Sequence, residues 1–226
     1  AAIGRSPLAA GVGVLFTFAA AALIAHRGLA AVLPETQARS AALLLLASPS
    51  AIDFACTSMD AVFLAAAGLA VWAGLAALSR RRSPILSLAT GAALLLAMLF
   101  SFSAFYVGFF LLLYGLAQLR TRGRRVLLEL AVILAAFVGS AVLFAALSGF
   151  EIWQCLRVAS AEHHKQMTHF IGRPPAQLYA YITFGNALAF LIGAGLALVP
   201  LALFRTVEAV RLRRLDPLLV AAWLTM

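Results

Sequence analysis

Long apolar runs, separated by short polar or basic stretches, make up most of the chain. Runs such as AALLLLA, GAALLLAMLF and GFFLLLYGL are apolar on every face. A strand of a membrane barrel would instead alternate apolar and polar positions, whereas a helix satisfies its own backbone hydrogen bonds in lipid. The pattern therefore predicts an all-α fold, a polytopic transmembrane helical bundle.

The apolar runs predict about seven to eight spans, each near the roughly 20 residues that cross a bilayer. Positions 84–119 would form a helix of about 54 Å, too long for a hydrocarbon core of about 30 Å. We therefore expect two short spans there, meeting at Ser101, Phe102 and Ser103. The expected spans lie near residues 7–25, 40–55, 61–78, 84–100, 104–119, 126–147 and 181–204. Residues 29–39, which are polar and contain the helix breaker Pro34, are expected to form a linker between the first two spans.

The two ends of the chain predict a fragment. Pro217 opens an eighth span, which Met226 cuts short, and the chain has neither an initiator Met nor a signal peptide. We interpret residues 1–226 as a single transmembrane domain that is an internal piece of a longer protein. A catalytic group in the missing part would not be visible in this sequence.

Composition excludes an ordinary soluble domain. The chain is 64% apolar and 11% charged, with a mean hydropathy of +1.02, whereas soluble domains are about half apolar and a quarter charged. The net charge of +9 would suit a nucleic-acid partner, but the arginines lie between spans rather than along one soluble face. Membrane topology produces that pattern, so nucleic acid is not an expected partner.

The basic residues predict which turns face the cytoplasm. Thirteen of the 17 fall after the first, third, fifth and seventh predicted spans, and the other four are Arg5, Arg157, Lys165 and Arg173. By the positive-inside rule the thirteen lie in the cytoplasm, which places segment 149–179 outside, in the periplasm of a bacterium or the extracellular space. The predicted location is the inner (plasma) membrane, with multiple passes.

Segment 149–179 holds three of the four histidines and the single lysine. Ile152, Cys155, Leu156 and Ala159 recur at helical spacing. This predicts a helix that lies along the outer interface, with Trp153 near the headgroups. The alternative is an amphipathic connector that binds no ligand.

The basic side chains of this segment are candidates for binding a phosphate or pyrophosphate, since arginine binds such groups through two N–H donors. The candidates are Arg157, His163, His164, Lys165, His169 and Arg173. The alternative is a solvated loop whose cations touch lipid headgroups. The spacings HH and H-x4-H match no zinc motif, so no residue is assigned to a metal; no cofactor is assigned, and a divalent metal stays open.

Acidic residues give supporting candidates. Asp53 and Asp60 are predicted on the same side of the membrane as segment 149–179, near the interface. Asp60 would lie in the first turn of a helix, where its negative charge interacts favourably with the positive end of the helix dipole. Glu129 is expected at the other interface, beside Arg124 or Arg125. A structural role is the alternative for all three acids.

The two cysteines, Cys56 and Cys155, are too few for a disulfide framework and lack metal-ligand spacing. We predict two buried small hydrophobic residues. A disulfide between them is the alternative, because both positions are predicted to face an oxidising compartment.

Three stretches of the chain follow one another in an order typical of a known family. They are LLLLASPSAIDFACTSMDAVFLAAAGLAVWAGL, GAALLLAMLFSFSAFYVGFFLLLYGL and AEHHKQMTHFIGRPPAQLYAYITFGNALAFLIGAGLAL. Together they resemble the C-type membrane glycosyltransferases, and among these the polyprenyl-phosphate-sugar transferases related to protein mannosyltransferases and to the enzyme that adds aminoarabinose to lipid A. The matching positions are Ser48, Pro49, Asp60, His163, Arg173, Asn186 and Gly193.

The resemblance implies that a sugar moves from a polyprenyl-phosphate donor in the membrane lipid to an acceptor on the outer face. His163, Lys165 and Arg173 would lie beside the donor phosphate, and Asn186 would support the site. In such a reaction a carboxylate removes the acceptor's proton while cations stabilise the departing phosphate. That carboxylate lies in the family's first large outer loop, upstream of this chain, so the catalytic residue is unknown here.

Two departures from the family pattern are visible. Ala189 stands where the family has an acidic residue after the position of Asn186, and Pro174 and Pro175 follow Arg173 where an aromatic residue is common. Both departures lie in the segment that would form part of the binding site for the polyprenyl-phosphate donor.

The competing class is a non-enzymatic transporter or lipid flippase subunit, in which the same spans line a path and the cations bind an anionic substrate. Such proteins often have paired halves or helices broken at mid-membrane, and the chain has no internal repeat of that kind. Its polar residues cluster at the outer interface, which favours the transferase. No pattern in the sequence predicts an oligomeric state.

Overall fold

The computed structural model describes residues 7–47, 60–79, 83–171 and 198–211. Every regular element in these ranges is an α-helix, which confirms the predicted all-α fold class. In chain order the helices are α1 (Pro7–Leu29), α2 (Glu35–Leu46), α3 (Asp60–Ser79), α4 (Pro84–Phe100), α5 (Ala104–Arg122), α6 (Arg125–Ser148), α7 (Ile152–Ile171) and α8 (Leu198–Arg211).

Three of these helices are long and apolar enough to cross a membrane: α1 from Ala9 to Leu29, α3, and α6. α4 and the Ala104–Leu119 part of α5 are apolar but shorter. The described residues therefore have the character of a membrane protein. The total of seven to eight spans stays a prediction, because much of the predicted span at 181–204 lies outside the described ranges.

The long apolar run 84–119 is broken where its length predicts. Ser83 accepts a hydrogen bond from the Leu86 amide at 3.4 Å, and Pro84 takes the first turn of α4, where its missing N–H costs nothing. α4 ends at Phe100, and the Ser103 amide donates to the Ser101 hydroxyl at 3.2 Å before α5 begins. The two expected short helices are therefore α4 and α5.

The first turn of the chain is shorter than predicted. A span was expected to begin near Ser40 after a polar linker, but α2 already begins at Glu35, directly after Pro34. The Ala38 amide donates to the Pro34 carbonyl at 2.9 Å. The polar residues after Pro34 therefore form the first turn of a helix, and that part of the prediction is wrong.

Helices α1 and α3 run parallel, because their contacts advance along both helices in the same direction. A Cβ added to Gly68 would lie 3.5 Å from Ile24, and a Cβ added to Gly28 would lie 3.1 Å from Trp72. Since α2 lies between α1 and α3 in the chain and these two helices are parallel, the arrangement is that of an up-and-down bundle.

Contacts show the same relation for two further pairs of helices. They join Gly74 with Leu111 and Ser79 with Tyr114 on α3 and α5, and Ser87 with Glu129 and Gly91 with Ile133 on α4 and α6. Successive helices from α1 to α6 therefore alternate in direction. The turns at 30–34 and 123–124 and the last residues of α3 lie together at what we call the arginine end; the turn at 101–103 and residues 149–151 lie at the opposite end.

The tightest glycine contact among the described helices is between α4 and α6. A Cβ on Gly91 would lie 2.5 Å from the Ile133 carbonyl oxygen and 2.6 Å from the Ala136 Cβ, closer than real Cβ atoms come. Only glycine allows the two backbones to approach so closely, as small residues do at helix contacts in membranes. One buried cluster joins the helices around this contact: Ala70, Leu75, Leu78, Ala93, Leu94, Leu111, Tyr114, Val126 and Ile133.

Candidate functional site

Helix α7 carries most of the described candidates and starts at the opposite end from the arginines. Gly149 ends α6 with φ of 68°, a left-handed conformation that glycine adopts without strain, and its amide donates to the Ala145 carbonyl at 2.8 Å. After Phe150 and Glu151 the chain re-enters a helix at Ile152. This short turn places α7 directly at the end of α6.

One face of α7 packs on the bundle. The positions at helical spacing, Ile152, Cys155, Leu156 and Ala159, are all half-buried. Ile152 and Leu156 contact a cluster at the ends of three helices that contains Ala66, Ala67, Ala97, Met98 and Ala104. The predicted helix is therefore present from Ile152 to Ile171, and its predicted apolar positions are half-buried over residues 152–159.

The other face of α7 is polar, cationic and exposed. The Arg157 guanidinium lies 5.7 Å from the centroid of the Trp153 ring, and Trp153 is 65% exposed. Such a cation over an indole face is held by the ring's quadrupole. Lys165 is also exposed, with its Nζ 3.4 Å from Glu162. Arginine and lysine are thus presented outward, on a surface that includes an aromatic ring.

The histidines fall at different positions around α7. Position 164 follows Arg157 by two helical turns and lies on the same stripe, whereas position 163 follows Ala159 by one turn and lies on the half-buried stripe. Consecutive positions of a helix do not face each other. The helix therefore groups positions 157 and 164 and separates position 163 from them.

The remaining predicted site residues are distributed differently. Asp60 is the exposed first residue of α3. The predicted positions Asp53, Arg173 and Asn186 lie outside the described residues. Cys155 is a half-buried free thiol, which agrees with its prediction as a packed small residue, and Cys56 also lies outside the described ranges.

Glu129 makes no ion pair with Arg124 or Arg125 but faces into the bundle, so that part of the prediction is wrong. Glu129 is only 7% exposed, and its carboxylate accepts a hydrogen bond from the Ser87 hydroxyl across the α4–α6 contact. Burying a carboxylate without a donor would be costly, so Ser87 explains how the acid is tolerated. This pair could not be predicted from the sequence, because the partners are 42 positions apart.

A second polar group sits at the arginine end, between α3 and α5. The Tyr114 hydroxyl is 2.6 Å from the Ser79 hydroxyl and accepts a hydrogen bond from the Gln118 amide at 3.0 Å. Arg122 donates to the Ser79 backbone carbonyl, one of the carbonyls left without an intrahelical partner at the end of α3. The network joins the two helices where the chain leaves α3.

An ion cluster closes the α1–α2 turn at the same end. The Glu35 carboxylate accepts a hydrogen bond from Arg39 Nε at 2.9 Å, and His26 Nε2 lies 3.2 Å from the same oxygen. The Arg39 hydrogen bond is the largest influence and holds the pKa of Glu35 below its ordinary value of 4.5. Burial acts in the opposite direction, and the nearby His26 charge lowers the pKa further. His26 Nε2 makes no hydrogen bond of normal geometry, so its contact becomes an ion pair when the imidazole is protonated.

The described ranges hold no group of three or more His, Cys, Asp or Glu residues placed to bind a metal ion. Comparison of the chain with protein families, with curated proteins and with solved structures finds no match. The case for a function therefore depends on the residues of the chain itself.

Proposed function

We propose that this chain is part of a membrane glycosyltransferase that moves a sugar from a polyprenyl-phosphate donor to an acceptor on the outer face of the membrane. The observation that carries the proposal is the exposed cationic face of α7, at the end of the bundle away from the arginine turns. In this proposal residues 1–226 cross the inner membrane about seven to eight times. α7 lies along the outer interface, where a lipid-borne phosphate also lies.

The surface of α7 suits a phosphate attached to a long lipid. Arg157 can bind a phosphate through two parallel N–H donors. The Trp153 ring already restricts the guanidinium, so Arg157 loses less conformational freedom when it binds the phosphate. Trp153 itself prefers the membrane interface. The half-buried face of the helix holds these groups at the edge of the bundle, beside the lipid.

The reaction assigns a role to these cations. An acceptor oxygen attacks the anomeric carbon, the bond from that carbon to the phosphate oxygen breaks, and the polyprenyl phosphate leaves with the electron pair. We propose that basic side chains stabilise the negative charge on the departing phosphate. They are Arg157, His163, His164 and Lys165, together with Arg173, which lies outside the described residues. A carboxylate elsewhere in the whole protein takes the acceptor's proton, and Asp53, Asp60 and Asn186 are proposed supporting residues.

One observation favours a second candidate, a transporter or lipid flippase subunit. Glu129 is a buried acid between two helices of the bundle, and acids at membrane depth often mark ion or substrate paths. The hydrogen bond to Ser87 also gives it a purely structural explanation. We therefore place this candidate second.

The test uses the full-length protein in vesicles supplied with a polyprenyl-phosphate-linked sugar. Arg157→Ala should lower transfer about 100-fold, the usual effect of removing one group that stabilises developing charge. Arg27→Ala removes an exposed arginine in the last turn of α1, at the arginine end of the bundle, and is the matched control. Unchanged transfer in both Arg157→Ala and Arg173→Ala would contradict the proposal. Sugar-independent movement of lipid that depends on Glu129 would favour the second candidate.

A further inference from the structure

We propose that the α5–α6 turn binds the headgroups of anionic phospholipids in the leaflet at the arginine end. The turn consists of Arg122, Gly123, Arg124 and Arg125, and we call it the arginine turn. Its site lies away from α7 and does not depend on the function proposed above. Two arginines of this turn carry charge that no described residue compensates, and apolar surface lies directly beside them.

The two outer arginines of the turn have no partner within the protein as described. Arg124 and Arg125 are exposed, and neither makes an ion pair or side-chain hydrogen bond with another described residue. Glu129, one helical turn after Arg125, would be the natural partner at the i,i+4 spacing. The Glu129 carboxylate instead accepts a hydrogen bond from the Ser87 hydroxyl, inside the α4–α6 contact.

The other described carboxylate near this end is also committed elsewhere. Glu35 is shared by Arg39 and His26 across the α1–α2 turn. The charges of Arg124 and Arg125 therefore stay uncompensated among the described residues, and a ligand that neutralises them comes from outside these residues. Anionic headgroups attract such basic groups next to a membrane with about 1 kcal/mol for each arginine.

The turn has a fixed shape. Gly123 has φ of 65°, which glycine adopts without strain, and its amide donates to the Leu119 carbonyl at 2.9 Å. On its inner side Arg122 donates to the Ser79 carbonyl at the end of α3. One arginine thus anchors the turn to the bundle, and the next two are left to face outward.

Apolar surface beside the cations indicates an amphiphile rather than free phosphate. Leu127 and Leu128 are 46% and 59% exposed, and they follow Arg124 by three and four positions, so they lie on the same face of α6. A phospholipid matches this order: its phosphate would meet the arginines while its acyl chains lie along the leucines. A free phosphate would use only the first half of the surface.

The experiment measures lipid binding to the full chain in detergent by native mass spectrometry. The probes are phosphatidylglycerol, phosphatidylcholine and inorganic phosphate. The protein should bind phosphatidylglycerol in preference to phosphatidylcholine, and Arg124→Gln/Arg125→Gln should weaken phosphatidylglycerol binding about 30-fold, as expected for the loss of two cations at an anionic surface. Arg124→Lys/Arg125→Lys keeps both charges and is the matched control, which should bind almost as tightly as the unchanged chain.

Each alternative outcome overturns the proposal. Equal binding of phosphatidylglycerol by the glutamine variant and the unchanged chain would show that the turn is not the site. Equal weakening by the lysine and glutamine variants would show that charge is not the cause. Displacement of the lipid by millimolar inorganic phosphate would show a phosphate site that makes no use of Leu127 and Leu128.

Discussion

Ser87 on α4 donates a hydrogen bond to the buried carboxylate of Glu129 on α6. The pair lies one helical turn from Gly91, where the two backbones come closest. A polar contact and a glycine contact therefore hold the same two helices together. Small residues that let backbones approach and polar side chains that hydrogen-bond between helices are the features that hold helices together in membranes.

Replacing Ser87 should destabilise the protein, because it leaves a buried carboxylate without its donor. We expect Ser87→Ala to lower the free energy of unfolding by about 1–3 kcal/mol, measured by denaturant titration in detergent micelles. Ser148→Ala is the control, since the Ser148 hydroxyl donates to the Phe144 carbonyl at an exposed site. Equal effects of the two substitutions would show that the Ser87–Glu129 bond contributes nothing specific.

Gly91 is predicted to be the most sensitive glycine of the described bundle. Gly91→Ala forces its Cβ against the Ile133 carbonyl and the Ala136 side chain, so it should cost about 1–3 kcal/mol through overpacking. Gly108→Ala and Gly139→Ala meet nothing within 4 Å and should be neutral or slightly stabilising, because alanine favours helices. Thermal unfolding of the three variants checks the order. A Gly91→Ala protein as stable as the other two would contradict the close α4–α6 contact.

The hydroxyl of Tyr114 should contribute to stability as well. Tyr114→Phe removes the bonds to Ser79 and Gln118 in a residue only 3% exposed, and we expect a loss of about 1 kcal/mol. Tyr106→Phe is the matched control, since Tyr106 is 66% exposed. A similar unfolding midpoint for both variants would show that the network between α3 and α5 is dispensable.

The Glu35 cluster predicts a pH dependence with a defined sign. Because Arg39 holds the pKa of Glu35 below 4.5, the folded state favours the ionised carboxylate. Its stabilising contribution is present above the unfolded value and is lost as the pH falls below 4.5 through the lowered folded pKa. Arg39→Gln should reduce this acid-induced loss, measured as the unfolding midpoint against pH. Arg27→Gln, at the same end, should leave the profile unchanged; identical profiles for all three proteins would contradict the cluster.

Features that depend on length and period were predictable from the sequence. The break between α4 and α5 follows from a run too long for one span, together with the serines at 101 and 103. The packed face of α7 follows from apolar residues at helical spacing, because the rest of that helix is polar enough for the period to show. In both cases local sequence carries the physical cause.

Other features could not be predicted because their causes are non-local. α6 is apolar on nearly every side, so its sequence does not show which side faces α4, and the inward position of Glu129 depends on Ser87 far away in the chain. The start of α2 was missed for a different reason. The residues after Pro34 were interpreted as a polar linker, although Glu35 and Arg39 have the i,i+4 spacing of a helical ion pair.

The central claim is that the arginine turns and α7 lie on opposite sides of one membrane. It is tested most directly with a membrane-impermeant maleimide on intact cells that express the chain, after Cys56 and Cys155 have been replaced by alanine. The exposed positions Gln154 and Arg124 each receive a single cysteine in separate variants. Gln154→Cys should be labelled in intact cells, and Arg124→Cys only after the cells are opened. Labelling of both cysteines from the outside, or of neither until lysis, would contradict the account.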